Sequence, residues 1–293
     1  MSQLPRGVLP AAVTPFSENG QIDLAGVARR MAWFGAHGCA GVVLAGTNGE
    51  GASLSAVEKR DMVRTAVSVA AGMPVILGVA TASLDEAVWS CESARKAGAV
   101  AALVMPPAFF REATEEGISG WFERLLSETT LPILLYNFPR RTGFTFSPEL
   151  VARLCSHDGV AGVKDSSGNA DNIGVFAQAA AGKSLYNGDE SLMLRSLEAG
   201  WSGAISGAAN LLAPWLVPIF ADWFADRESA ETKFAYVLPT IRALRESPQP
   251  AANKWLLERL GHIDRATPRL PLLPLDEVAG NALWEQVKTT LIP

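Results

Sequence analysis

Lys164 closes the apolar half of "VAGVKDSSGN", residues 160–169, where a charge is costly unless it has work to do. Desolvation disfavours an ammonium, and a neutral amine is a nucleophile. Such lysines attack the carbonyl of a ketone or aldehyde to form a Schiff base, whose iminium draws electrons from the adjacent carbon. That chemistry needs a group that gives and takes protons, and Tyr136 ends a second apolar run, "PILLYNF". The residue types alone leave another reading open, in which Lys164 is a solvated charge or the ion-pair partner of Asp165. His37, His157 and His262 fall in predicted helices or connections, which disfavours a histidine-based triad. Glu50, Asp165 and Asp189 stand near run ends without imidazoles beside them, so no metal site is expected.

The elements that must position these two side chains repeat along the chain. Short apolar runs begin at Gly7, Ala40, Pro74, Ala101, Pro132, Val160, Ser184 and Gly203. Continuous apolar runs suit strands covered on both faces, as in a parallel sheet, and the spacers are long enough for crossover helices. One spacer, "SLSAVEKRDMVRTAVSVAAG", opens on the N-cap candidates Ser53 and Ser55 and ends at Gly72, with an apolar stripe through Val57, Met62, Val63, Ala66, Val67 and Ala70. Similar helices are expected from Asp23, Ser83, Thr114, Ser147, Asp171 and Glu190. Eight such units predict an α/β fold, a (β/α)8 TIM barrel over residues 1–222. A doubly wound sheet is the alternative, but no GxGxxG follows the first strand. Beyond residue 222 the strand signal stops, and proline-punctuated helical segments predict a C-terminal helical domain over 223–293. In a barrel, reacting groups collect where strands end, so Lys164 and Tyr136 are expected at one mouth.

Composition narrows the partners. The chain has 293 residues, is 48% hydrophobic and carries a formal net charge of -5, with no Lys/Arg-rich run. These values suit a globular core and offer no field for a phosphate backbone, so no nucleic-acid partner is expected. Cys39, Cys91 and Cys155 lie far apart and read as reduced core thiols. The opening "MSQLPRGVLPAAVTPF" lacks a charged segment followed by an unbroken apolar one, and "LLAPWLVPIFADWFA" is interrupted by Pro214, Pro218 and Asp222. The expectation is a cytoplasmic protein without a membrane partner.

Four motifs, "PAAVTPF", "GTNGE" from Gly46, "YNFPRRTG" from Tyr136 and "GVKDSSG" from Gly162, give nearly the whole chain a further character. In their order and placement it resembles the dihydrodipicolinate synthase and N-acetylneuraminate lyase family. The resemblance implies a (β/α)8 barrel with a C-terminal helical domain, assembled as a homotetramer or homodimer, with no cofactor beyond the Schiff base itself. It implies that Lys164 condenses with pyruvate, that Tyr136 is the acid-base group, and that Thr47 hydrogen-bonds to it in a proton relay. Backbone amides around Thr47 and Asn48 would hold the pyruvate carboxylate, Gly188 and Ile205 would line that pocket, and Arg141 would bind the carboxylate of the second substrate. Glu50 reads as structural. Two residues depart from the usual synthase pattern: Asn48 stands in place of a second threonine, and Phe109, in "PPAFF", in place of a relay tyrosine.

The leading expectation is therefore a Schiff-base-forming lyase or synthase that condenses pyruvate with a small acidic aldehyde such as aspartate semialdehyde. Aldol cleavage of a 2-keto-3-deoxy sugar acid or of 4-hydroxy-2-oxoglutarate is the alternative favoured by Phe109 and Asn48, and dehydration through the same Schiff base is a third. A non-catalytic keto-acid-binding barrel is the alternative outside this class.

Overall fold

The computed structural model describes residues 4–292, so Met1, Ser2 and Gln3 of the opening segment and the final Pro293 lie outside the described residues. All eight apolar runs are strands: β1 Gly7–Pro10, β2 Val42–Leu44, β3 Val75–Val79, β4 Ala101–Val104, β5 Ile133–Asn137, β6 Val160–Asp165, β7 Ser184–Asn187 and β8 Gly203–Ser206. They pair in parallel in the order β1-β8-β7-β6-β5-β4-β3-β2. A parallel bridge between Ala11 and Val43 joins the two ends and closes the barrel. The strands read as unbroken apolar runs because both faces are buried. One face fills the interior with Leu9, Val43, Ile76, Leu103, Leu134 and Ile205. The other packs on the helices through residues such as Val42, Leu77 and Val163.

Four of the helices begin where capping residues predict, whereas Asp171 precedes its helix without a side-chain cap and Glu190 lies in a 3-10 turn, Glu190–Leu192, ahead of the helix Met193–Glu198. Asp23, Ser83, Thr114 and Ser147 each accept a backbone N–H of the first helical turn, a contribution of about 1 kcal/mol apiece. Between the two serine candidates of the second helix, Ala56–Val69, Ser55 is the cap and forms a capping box with Glu58. Ser53 lies in a preceding single 3-10 turn, Gly51–Ser53.

The segment with Pro214 and Pro218 is the helix Ala209–Ala225, which follows β8 and completes the barrel. It continues through residue 222, where the sequence signal changes, and stops only at Asp226, the cap of the next helix, Arg227–Glu246. The remaining helices, Ala251–Arg259 and Glu277–Leu291, build one apolar core with it: Leu212, Leu216 and Ile219 pack with Val237, Leu256 and Val287. That core reaches Val8 and Val13 at the barrel itself. Among the described residues no helix is long and apolar enough to cross a membrane.

Candidate active site

Register brings the two reactive side chains together. Tyr136 on β5 pairs with Lys164 on β6, and Lys164 in turn with Tyr186 on β7. Lys164 and Tyr136 are both buried, with 4% exposure each. Lys164 Nζ donates to Tyr136 Oη at 3.2 Å and lies 4.2 Å from the centre of its ring. Thr47 Oγ1 reaches the same phenol oxygen at 3.4 Å. Burial pushes the Tyr136 phenol up, but the charge of Lys164 and hydrogen bonds with Thr47, Ser166 and Lys164 outweigh it and hold the phenol below its ordinary value. A phenol so placed gives up its proton more readily than one in water.

Gly188 follows β7 and passes directly beside the lysine. A Cβ there would fall 1.9 Å from Ser166 Oγ and 2.9 Å from Lys164 Cε, so only glycine lets the strand end approach. Its amide donates to the Asp165 carbonyl at 2.7 Å. Asp165 itself accepts from Asn137 Nδ2 at 2.8 Å and Ser167 Oγ at 2.9 Å. Its carboxylate is therefore engaged by neutral donors, and the alternative in which it serves as the ion-pair partner of Lys164 is not what the structure shows.

The "GTNGE" loop turns on left-handed backbone at Ala45 and Glu50, with φ of 53° and 54°. Such strain persists only where the surroundings fix it. Thr14, from the "PAAVTPF" motif, donates to the Gly49 carbonyl at 2.6 Å. Glu50 pairs with Lys254 at 2.5 Å, both side chains fully buried, and its second oxygen accepts the Arg269 amide at 2.7 Å. Burial lowers the Lys254 ammonium to about 8 against the opposing pull of Glu50. Thr47 and Asn48 are left with backbone N–H groups that meet no protein acceptor among the described residues. Backbone N–H groups without a protein acceptor are donors of the kind that receive an anion such as a carboxylate.

Above this point opens a cavity of about 470 Å³, lined by Thr47, Thr81, Phe109, Tyr136 and Arg141 and roofed by Gln249 and Pro250 from the C-terminal region. Arg141 projects from the short helix Pro139–Thr142 and makes no ion pair among the described residues, whereas neighbouring Arg140 does not line the cavity. Phe109 sits at the rim, 81% exposed and edge-on to Phe110. Ile205 is buried in the barrel interior, away from the cavity lining. The Asn48 side chain turns aside and accepts from Asn253 Nδ2 at 3.0 Å, and Asn48 does not line the cavity. Among the described residues no group of three or more His, Cys, Asp or Glu could hold a metal ion.

Sequence reasoning missed three residues that frame the site from the C-terminal helices: Arg245, Asn253 and Lys254. Lys254 carried the same signal as Lys164, a lone charge in the apolar run "ANKWLL".

The profile of the dihydrodipicolinate synthetase family matches residues 4–290. The chain belongs to this family. The 4-hydroxy-tetrahydrodipicolinate synthase of Archaeoglobus fulgidus is 36% identical over 286 residues, 97% of each chain. That of Salinibacter ruber is 34% identical, covering 93% of this chain and 91% of its own. Among solved structures, the dihydrodipicolinate synthase of Thermotoga maritima superposes with a TM-score of 0.92 at 29% identity, over 98% of this chain and 99% of that one. The chloride-inhibited Acinetobacter baumannii enzyme, solved with pyruvate, gives the same TM-score, identity and coverage.

Proposed function

We propose that this member of the dihydrodipicolinate synthetase family forms a Schiff base between Lys164 and pyruvate and condenses the resulting enamine with aspartate semialdehyde. The observation that carries the reading is the chain of contacts at 3.2 and 3.4 Å from the buried Lys164 and Tyr136 to Thr47 at the cavity wall. Lys164 Nζ attacks the keto carbon of pyruvate, and the carbonyl oxygen leaves as water with protons delivered through Tyr136. Thr47 and Asn48 amides hold the pyruvate carboxylate. Tyr136 and Thr47 then relay the methyl proton away, giving the enamine, whose terminal carbon forms the new C–C bond at the aldehyde. The alkoxide takes a proton, and attack of an amine on the imine carbon releases Lys164. Arg141, a cation of the wall without an ion pair among the described residues, binds the acceptor's carboxylate with its planar fork. Lys164 supplies the covalent chemistry itself, so the sequence needs no metal or prosthetic group.

The named relatives favour this synthase reading over aldol cleavage and over a silent keto-acid-binding barrel. Phe109 lacks a hydroxyl, so the proton path passes from Tyr136 through Thr47 to solvent at the cavity mouth. The exposed Phe109–Phe110 pair suits a further inference, assembly into a homodimer or homotetramer. Three buried free cysteines suit a reducing cytoplasm. A division into barrel and C-terminal helical domain near residue 222 is retained as a proposal, with the helix Ala209–Ala225 shared by both.

Borohydride treatment with pyruvate is expected to trap an adduct on Lys164, located by peptide mass spectrometry and absent in Lys164→Ala. With aspartate semialdehyde as acceptor, Arg141→Ala is expected to raise KM by roughly 10- to 100-fold, the worth of about 1.5–3 kcal/mol for a charged hydrogen bond. An unchanged KM, with glyoxylate or glyceraldehyde used equally well, counts against the synthase reading.

A further inference from the structure

Arg245 stands near the end of the helix Arg227–Glu246, outside the barrel, yet its guanidinium meets the residues that follow β7. Nη1 donates to the Gly188 carbonyl at 3.2 Å and to Glu190 Oε2 at 3.2 Å, while Nη2 pairs with Asp189 Oδ2 at 2.8 Å. Three acceptors on three consecutive residues are thus held by one planar fork, a task for which lysine lacks the geometry. The first of the three is the glycine packed against Lys164 Cε.

The two carboxylates give the fork its importance. Asp189 is 8% exposed and Glu190 2%. Glu190 also accepts from Ser206 Oγ at 2.6 Å and from the Ala208 amide at 3.0 Å, which anchors it to the end of β8. Burial pushes its carboxyl up, and the Arg245 charge with these hydrogen bonds overrides that, so it is held below the usual carboxylate range. Without Arg245 two adjacent buried anions would face each other with no cation between them, immediately after Gly188. Relief of that repulsion would move the β7 end, and Gly188 with it, off the lysine chain.

We propose that Arg245 is a positioning residue that fixes the Lys164 amine through Gly188, so that the C-terminal helices set the rate at which the Schiff base forms. The inference rests on the Schiff-base role of Lys164 proposed above. It concerns placement of the nucleophile and not binding of pyruvate, since both terminal nitrogens of Arg245 face protein acceptors and Arg245 does not line the cavity. Effective nucleophilic attack tolerates little displacement, and an error of about 1 Å costs roughly 100-fold.

The test compares rate constants of borohydride trapping at saturating pyruvate in the full-length wild type, Arg245→Gln, Arg245→Lys and Arg227→Ala. Arg227 pairs with Glu198 at 3.5 Å on the surface of the same helix and serves as the control for loss of an ion pair there. Arg245→Gln is expected to trap about 10- to 100-fold more slowly with the KM for pyruvate changed less than threefold. Arg245→Lys is expected to recover part of the rate by restoring the charge, and Arg227→Ala to match the wild type. Trapping by Arg245→Gln at the wild-type rate overturns the proposal, as does a lowered melting temperature without a slower rate. Should Arg245→Gln not fold, Arg245→Lys decides: a rate equal to wild type overturns the positioning role, and a slower rate in a folded protein supports it. Failure of the wild type itself to form an adduct overturns the Schiff-base reading instead, and so the two outcomes are distinct.

Discussion

The proposed reaction asks Tyr136 both to give and to accept protons during one turnover, and its surroundings suit that. Its phenol oxygen accepts from Lys164 at 3.2 Å and shares a hydrogen bond with the Thr47 hydroxyl at 3.4 Å, and the ring stacks on Phe138 at 5.7 Å, which limits its rotation. Tyr136→Phe removes only the oxygen and keeps the ring packing. The variant is expected to fold, to retain the pyruvate adduct on extended incubation, and to lose about 100- to 10,000-fold in kcat. Steady-state kinetics together with a thermal melt separates this from simple unfolding. At this scale Lys164 and Tyr136 were legible in the sequence, because a lysine and a tyrosine ending buried runs are exceptions to the pattern around them. Asn48 was legible as a position and not as an orientation. Its partner Asn253 is 205 residues distant, and nothing local signals that the side chain turns toward the C-terminal helix.

At the scale of elements, the "GTNGE" loop depends on contacts with the C-terminal region. The Glu50–Lys254 pair is fully buried, and removing one partner leaves an uncompensated charge. Glu50→Gln or Lys254→Met alone is expected to cost about 3–5 kcal/mol by denaturant unfolding, whereas the double variant is expected to recover much of the loss. A second tie lies next to it: Glu58, of the helix Ala56–Val69, pairs with Arg269, which also donates to the Ser53 and Gly20 carbonyls. The hydrogen bond from Arg269, opposed by burial and aided by Ser55, lowers Glu58 to about 2. A carboxylate depressed in the folded state contributes stability that is fully present above its unfolded pKa, near about 4.3, and lost as pH falls through the folded value. Urea titrations are thus expected to show the wild type losing stability more steeply than Glu58→Gln between about pH 4.5 and 2, with the two converging at the acid end. Equal slopes would show that this ion pair contributes nothing to the docking. The strand ends were readable as motifs, but these ties were not, since each joins residues more than 200 positions apart.

For the molecule as a whole, the barrel was legible because parallel strands buried on two faces leave a strong compositional trace and their helices carry ordinary caps. The helix Ala209–Ala225 was less so, because two prolines within it mimic a break. It is also the element on which the C-terminal helices are built. Leu212, Leu216, Ile219 and Trp223 on it are covered by residues from beyond position 226. A chain ending at Asp226 is therefore expected to expose an apolar face, to bind the dye ANS and to lose the cooperative melt of the full chain, as near-UV circular dichroism would show. A sharp transition like that of the full chain would mean that the barrel is stable alone.

The grip of the C-terminal helices on the pocket also sets a timetable for biosynthesis. Lys164 and Tyr136 emerge from the ribosome about 80 to 120 residues ahead of Arg245, Asn253 and Lys254. At roughly 5–20 residues per second, that leaves an interval of several to some twenty seconds in which the nascent barrel carries Lys164 without the residues that frame the site. Under the positioning role proposed for Arg245, orderly chemistry at the amine waits until the segment that frames it has been made, which couples assembly of the site to completion of the fold.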